Sequence, residues 1–423
     1  MMFCNCFQKE TCNRRDFMAA AGVIVAGGIL SCSRDEQIAE RKSRKKHILR
    51  LPANPIIVRV RIGKVRDTHG CAVDGEVIFR NETQWEPTRF SGEPANNNEA
   101  QVVWIKRGLH TVVVSKKTKV FTGTISLHPR KDISKHALDI VAHIPMESYL
   151  PGVIAGELFS HWHPTTFAAQ AVAARSYAAA QHLLRKTTSH FDLSDGPSSQ
   201  VFLGDVTLDV AHRAVSQTRG LVMTWDGTVV PSYYSACCGG LAATANDAIG
   251  KDAIHDISPL QGGVGEDVCT TLDVHRWKIE RSHRNLCRRL AKWTTATTHN
   301  KLDGLRSIRS IRPRQTNHHG RPTTLEIMDR HNKSFSIEAK HIVRAANASV
   351  PSLPSPTPRL WSSNFSAIKE GSKIEISGVG LGHGVGMCQY GAQILASRGK
   401  SWESILSRYY PAVTFDTVNT KEI

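Results

Sequence analysis

The 423-residue chain lacks any apolar run long enough to cross a bilayer, which takes about 20 residues. Its best stretch, Ala19 to Leu30, stops short of that. It has no G-x-S-x-G elbow, no H-E-x-x-H pair, no EF-hand loop and no P-loop. The usual signatures of serine hydrolases, zinc proteases, calcium loops and nucleotide sites are therefore absent. There is no internal repeat, which excludes a solenoid or propeller. Acid is also in short supply: 37 Asp and Glu stand against 54 Lys and Arg, for a net charge of +17. That balance suits anionic partners, whether nucleic acid, acidic lipid or the anionic polymers of a cell wall, and does not choose among them.

What is present begins with the first residues. "NRRDFMAAAGVIVAGGILSCS" joins paired arginines, Arg14 and Arg15, to a short apolar run. This is the layout of an export signal of the twin-arginine type over residues 1–31. The run closes on Ile29-Leu30-Ser31-Cys32, which resembles a bacterial lipobox with Cys32 as the lipidated residue. The expectation is an exported lipoprotein on the periplasmic side of the cell envelope, held to the membrane through its lipid. Loss of the signal removes Lys9, Arg14 and Arg15 together with Glu10 and Asp16, so the basic character belongs to the mature chain. Export also argues against nucleic acid as the partner. Six cysteines remain after residue 32, and an oxidising compartment permits disulfides among them.

The pattern predicts an α+β chain: a β-rich body with one pair of helices in its middle and further helices at its C-terminal end. Residues 32–55 read as a basic tether. Residues 56–140 form a β-rich region, with period-two alternation in "IIVRVRIG", "GEVIFR", "HTVVVS" and "VFTGTISLHP". Residues 141–255 form the first part of a core, 256–370 an insertion with a Ser/Pro linker, and 371–423 the rest of the core. The first helix is expected to start near Glu147 or Ser148, because Pro151 suits only a first turn. Pro164 opens the second. "LVMTWDGTVV" reads as a hairpin turning at Asp226-Gly227, and Ser401 caps the last helix.

Three constellations could carry chemistry. Leu150, Val153, Ile154 and Glu157 share a helical face. A carboxyl in that apolar setting holds its proton more readily, which suits a general acid and base. Glu147 is the neighbouring alternative, better placed to complement the helix dipole. The second constellation is "GVGLGHGVGMCQYG", where glycines let backbone N–H groups and His383 approach a ligand closely. The third combines Cys237 and Cys238 with Cys269. A Cys238–Cys269 disulfide and a zinc site drawing on Cys238, Cys269 and His275 or His255 are the two readings, and the spacing leaves both open.

With these residues in view, the chain resembles the SpoIID/LytB family, the stage II sporulation protein D type of peptidoglycan lytic transglycosylase. The segments "IPMESYLPGVIAGELFSHWHPTTFAAQAVAARSYA", "FDLSDGPSSQVFLG", "TRGLVMTWDGTVVPSYYSACCGG" and "GVGLGHGVGMCQYGAQILASRGKSWESILSRYYP" carry the resemblance. It implies cleavage of the MurNAc–GlcNAc bond of denuded glycan strands, leaving 1,6-anhydroMurNAc ends. Glu157 stands at the position of the catalytic acid. Gln170, Arg175, Tyr177, Ser235, His383, Gln389 and Tyr390 match motif positions and are expected to bind substrate. No cofactor is required by that reaction, although some relatives bind zinc near these cysteines. A cell-wall amidase is the implied partner, and a non-catalytic, glycan-binding enhancer of such an amidase is the alternative function. The chain departs from the family pattern at Cys237-Cys238, at Cys388 in place of a serine, and at Phe202 in place of a tyrosine.

Overall fold

The computed structural model describes residues 49–65, 71–74, 76–78, 93–97, 101–114, 117–130, 137–263, 268–296, 302 and 304–420. The export signal, Cys32 and most of the tether lie outside them. The fold is α+β and divides into two compact units, residues 49–231 with 414–420, and residues 232–413.

In the first unit, strands β1 (Ile57–Val65), β2 (Cys71–Val73), β3 (Glu76–Ile78), β4 (Glu93–Asn97), β5 (Gln101–Val114), β6 (Lys117–Pro129) and β7 (Leu138–Pro145) belong to one sheet. Its order is β3-β2-β5-β6-β7-β1-β8, where β8 is Leu193–Ser194, and β4 pairs β5. Alternation in β1 explains its two faces. Val58, Val60 and Ile62 are buried in the core, while Arg59 and Arg61 reach Asp192 and Asp139 on the other side.

Helix α1 (Met146–Glu157) follows β7 directly, and α2 (Pro164–Arg185) follows a short bend. His163 caps α2 by accepting from the Thr165 N–H, with Pro164 in its first turn. Every residue of α2 from Thr166 to Gln181 is buried. A helix enclosed on all sides carries little exposed polar surface, and small residues let its neighbours approach, which accounts for its alanines. Helix α3 (Asp209–Gln217) packs beside both. Strands β9 (Leu221–Trp225) and β10 (Thr228–Val229) form the hairpin. Asp226 (φ 51°) and Gly227 (φ 67°) are both left-handed, as a two-residue type I′ turn requires. The C-terminal strand Thr414–Thr417 pairs with β9.

The second unit opens with β11 (Tyr234–Ser235) and the short helix α4 (Ala245–Ala248). Its main sheet is antiparallel, with β12 (Arg276–Ser282), β13 (Ser310–Thr316), β14 (Pro322–Met328), β15 (Ser334–Glu338), β16 (Phe365–Glu370) and β17 (Lys373–Val379) in the order β12-β17-β16-β13-β14-β15. Helices α5 (His283–Ala296) and α6 (Ala339–Asn347) cover it. Residues from Trp277 to Ile376 share one apolar core, so most of the stretch read as an insertion is a packed layer with its own interior. Strand β18 (Met387–Cys388) and helices α7 (Gln389–Ser397) and α8 (Trp402–Tyr409) complete the unit, with Ser401 capping α8.

Candidate functional site

In the first unit the site is built around the C-terminal end of α1. Leu150, Val153 and Ile154 are fully buried, and Glu157, the last residue of the helix, is half-buried. One carboxylate oxygen accepts a hydrogen bond from the Val201 N–H at 3.0 Å. The segment that supplies this donor comes close because α1 carries glycine where it crosses: a Cβ on Gly152 would lie 2.1 Å from the Gly204 carbonyl oxygen and 2.8 Å from the Phe202 ring. Lys119 anchors the same segment through Asp195 and the Phe202 carbonyl. Tyr149 donates to the Gln200 side-chain oxygen at 3.1 Å, and Gln200 donates in turn to the Ala174 carbonyl.

Two phenols share the electrostatic surroundings of Glu157. Burial holds the pKa of Tyr149 well above its ordinary value, and Glu157 pushes it further up. Tyr177 is also raised, chiefly by burial. Gln170 lies on the same helix, wholly buried. Phe159 and Trp162 follow Glu157 with ring centroids 5.3 Å apart.

Arg175 has a different place. It is fully buried, pairs with Glu147 at 2.8 and 2.9 Å, and donates to the Leu221 and Val215 carbonyls. This is an internal brace between α1, α2 and the chain leading into β9, and it also accounts for Glu147. A cavity of about 260 Å³ lined by Met146, Glu147, Arg219 and Asn419 sits at the opposite end of α1 from Glu157.

The second unit gathers the remaining motif residues. β11 and β18 form a parallel ladder that pairs Tyr234 with Met387 and Ser235 with Cys388. Ser235 accepts from the Gly384 N–H at 3.2 Å. His383 accepts through Nδ1 from the Val385 N–H at 3.0 Å, and its pKa falls to about 4, mainly through burial and then through the Arg321 charge. Its imidazole is therefore neutral at physiological pH. Gly386 (φ 66°) allows the loop to close: a Cβ there would lie 2.0 Å from the Tyr233 carbonyl oxygen. Gln389 and Tyr390 open α7, and the Tyr390 N–H donates to the Ala236 carbonyl.

The same ladder brings cysteines together. The Sγ atoms of Cys237, Cys269 and Cys388 all lie within 4.8 Å of one another, and Cys238 Sγ is 3.5 Å from Cys269 Sγ. These are buried thiols not joined in disulfides, their sulfurs farther apart than the roughly 2.05 Å of such a bond. Hydrogen bonds from its sulfur neighbours pull the pKa of Cys269 down, while Cys237 is pushed up to about 12, first by its hydrogen bond to Cys269. His275 does not face the thiols. Its Nδ1 donates to the Leu272 carbonyl and its Nε2 accepts from Arg276. His255 is hydrogen-bonded to the Tyr233 hydroxyl at 2.9 Å. The groups able to hold a metal here are thus sulfur alone, with Cys237 and Cys388 in place of the histidines.

Comparison with known proteins bears on the same residues. Residues 134–225, which contain Glu157 and both helices beside it, match the family described as Stage II sporulation protein, SpoIID. Over this segment the chain is similar to the SpoIID/LytB family. Residues 260–386 match a domain of unknown function, DUF8618. An uncharacterized protein of Brachyspira hyodysenteriae is 29% identical over 294 residues, covering 69% of this chain and 71% of that protein. An amidase enhancer of Bacillus subtilis is 26% identical over 293 residues, or 63% of this chain but only 40% of its own length. A stage II sporulation protein D of Bacillus amyloliquefaciens is 25% identical over 288 residues, 64% of this chain and 74% of its own. The SpoIID match covers the Glu157 site in the first unit, and the DUF8618 match covers Cys269 and His383 in the second.

Proposed function

We propose that this protein is a cell-wall enzyme, a lytic transglycosylase that cuts the MurNAc–GlcNAc bond of peptidoglycan strands stripped of stem peptides. The observation that carries the reading is Glu157, half-buried at the end of an apolar helix face with one oxygen fixed by the Val201 N–H. In the proposed reaction the protonated Glu157 carboxyl gives its proton to the glycosidic oxygen as the C1–O bond breaks. The MurNAc 6-hydroxyl then bonds to C1 and returns its proton to the carboxylate. The acid is regenerated and water takes no part, so a single carboxyl suffices where hydrolytic glycosidases use two. Buried Tyr149 and Tyr177 stay protonated and add no negative charge of their own near Glu157. Ser235, His383, Gln389 and Tyr390 are assigned to substrate binding, with His383 acting as a neutral hydrogen-bonding group.

The setting proposed with this activity is export through the twin-arginine signal and attachment to the membrane at Cys32, alongside an amidase that strips the strands. The test is digestion of denuded glycan followed by mass spectrometry. Glu157→Gln is expected to lower the yield of anhydro-ended fragments by about 10²–10⁴-fold, and full activity in that variant would overturn the assignment. The similarity to an amidase enhancer supports a second reading, in which the chain binds glycan and stimulates an amidase without cutting. That reading is distinguished by undiminished amidase stimulation with Glu157→Gln and no anhydro products from the wild type.

A further inference from the structure

We propose that Cys237, Cys238, Cys269 and Cys388 form a closed tetrathiolate site for a thiophilic divalent cation, zinc first, with Arg321 as its buried counter-charge. The four sulfurs come from three separate places: the end of the β11 strand, the turn Val268–Thr271, and β18 at the start of α7. All four residues are at most 3% exposed. Tetrahedral zinc with metal–sulfur bonds of about 2.3 Å needs sulfur–sulfur edges of roughly 3.7 Å. The 3.5 Å from Cys238 to Cys269 is close to that, and Cys237, Cys269 and Cys388, whose Sγ atoms lie within 4.8 Å of one another, share Cys269 with that pair.

The second observation is the charge beside them. Arg321 is 1% exposed. Its guanidinium donates to the carbonyls of Cys238, Leu241 and Gly382, and its Nε has no partner. Among the described residues no carboxylate offsets it, and the potential anions that face it are the four cysteines themselves. An isolated buried cation is costly. Zinc held by four thiolates carries a net charge of −2, so the guanidinium then opposes a negative centre. Backbone N–H groups supply the outer shell in the usual manner of structural sites: Gly391 and Cys238 both donate to Cys388 Sγ.

Loading exchanges the thiol protons, up to four, for one cation, with the protons leaving to solvent. No oxidant is needed. The metal would tie the β11–β18 ladder to the 268–271 turn and so fix the loop that carries His383. The site stands whether or not Glu157 cleaves glycan.

The test uses the full chain, purified with a thiol reductant and zinc, then dialysed. About one zinc per chain is expected by elemental analysis, and cobalt in its place should give the intense thiolate charge-transfer bands of a tetrahedral site. Cys388→Ser and Cys237→Ser should each lose most of the metal. Cys287→Ser, at a buried cysteine in the sheet core, should keep it. The wild-type cobalt spectrum does not depend on any variant folding. Absence of both stoichiometric metal and the cobalt bands overturns the proposal, as does an intact mass showing a Cys238–Cys269 disulfide in metal-free, folded protein.

Discussion

Arg175 shows how a motif position can be structural. Its guanidinium sits in the interior with two bonds to Glu147 and others to the Leu221 and Val215 carbonyls. Removing one partner of such a pair leaves a buried carboxylate and unpaired carbonyls, which costs about 3–5 kcal/mol. Arg175→Met is therefore expected to lower the thermal midpoint by roughly 10 °C, and Glu147→Gln added to it should recover part of the loss. Calorimetry and glycan-binding titrations separate the two roles. An unchanged midpoint with weakened glycan binding would return Arg175 to the substrate. The sequence could not decide this, because the partners Glu147 and Leu221 lie 28 and 46 residues away. Local features fared differently. The Asp226-Gly227 turn and the Ser401 cap rest on neighbouring residues and were legible from them. The Val201 N–H that reaches Glu157 was not, since a backbone donor leaves no mark in the choice of side chain.

At the level of elements, β6 and β7 carry a histidine face. Ser126 Oγ lies 2.7 Å from Nε2 of both His128 and His143. One hydroxyl proton cannot serve two neutral acceptors, so at least one of the two rings donates to Ser126 Oγ through its Nε2–H. His190 stacks on His128 with centroids 4.6 Å apart. Around them stand Asp139 with Arg61 and Arg130, and Asp192 with Arg59 and His182. Burial first, and then the neighbouring charges, lower the pKa of His128 to about 3 and that of His143 to about 4. Both folded values lie below the unfolded value of about 6.5, so the unfolded chain binds more protons as pH falls through 6.5. Stability is unaffected above that pH and declines below it, by about 1.4 kcal/mol per pH unit for each histidine, until the folded values are reached. Asp192, whose pKa is lowered, adds its own loss only below its ordinary carboxylate range. The interval from pH 6.5 to 5 therefore reports the histidines. The urea midpoint should fall across it in the wild type and fall less in His143→Gln; equal slopes in the two proteins would refute the account. The strands themselves were visible as period-two alternation, but their polar face was not, because which charge meets which histidine depends on the sheet order.

Across the whole molecule, the SpoIID match spans Glu157 and the two helices beside it within the first unit, while the boundary between units falls at Pro231 and Ser232. Repeating motifs and turn chemistry mark elements, whereas a unit boundary depends on which cores close on themselves. The sheet from Trp277 to Ile376 builds such a core from short strands separated by polar loops, and no single segment of it announces a domain. One further property belongs to this scale, the place where the protein works. Its substrate under the proposed reading is a polymer that it meets only outside the cytoplasm, and its positive charge of +17 suits an anionic wall or membrane surface. A single acyl chain gives only marginal membrane attachment, and stable anchoring takes a second signal. At Cys32 the lipid would be joined by the basic cluster "RKSRKKHILR" at residues 41–50. Cys32→Ser is therefore expected to move the chain from the membrane fraction to the soluble fraction of the envelope, with its glycan-cutting activity retained. Replacing Arg14 and Arg15 with lysines should instead leave it in the cytoplasm. Cell fractionation reads both outcomes, and a Cys32→Ser protein that stays with the membrane through a high-salt wash would rule out the lipid anchor.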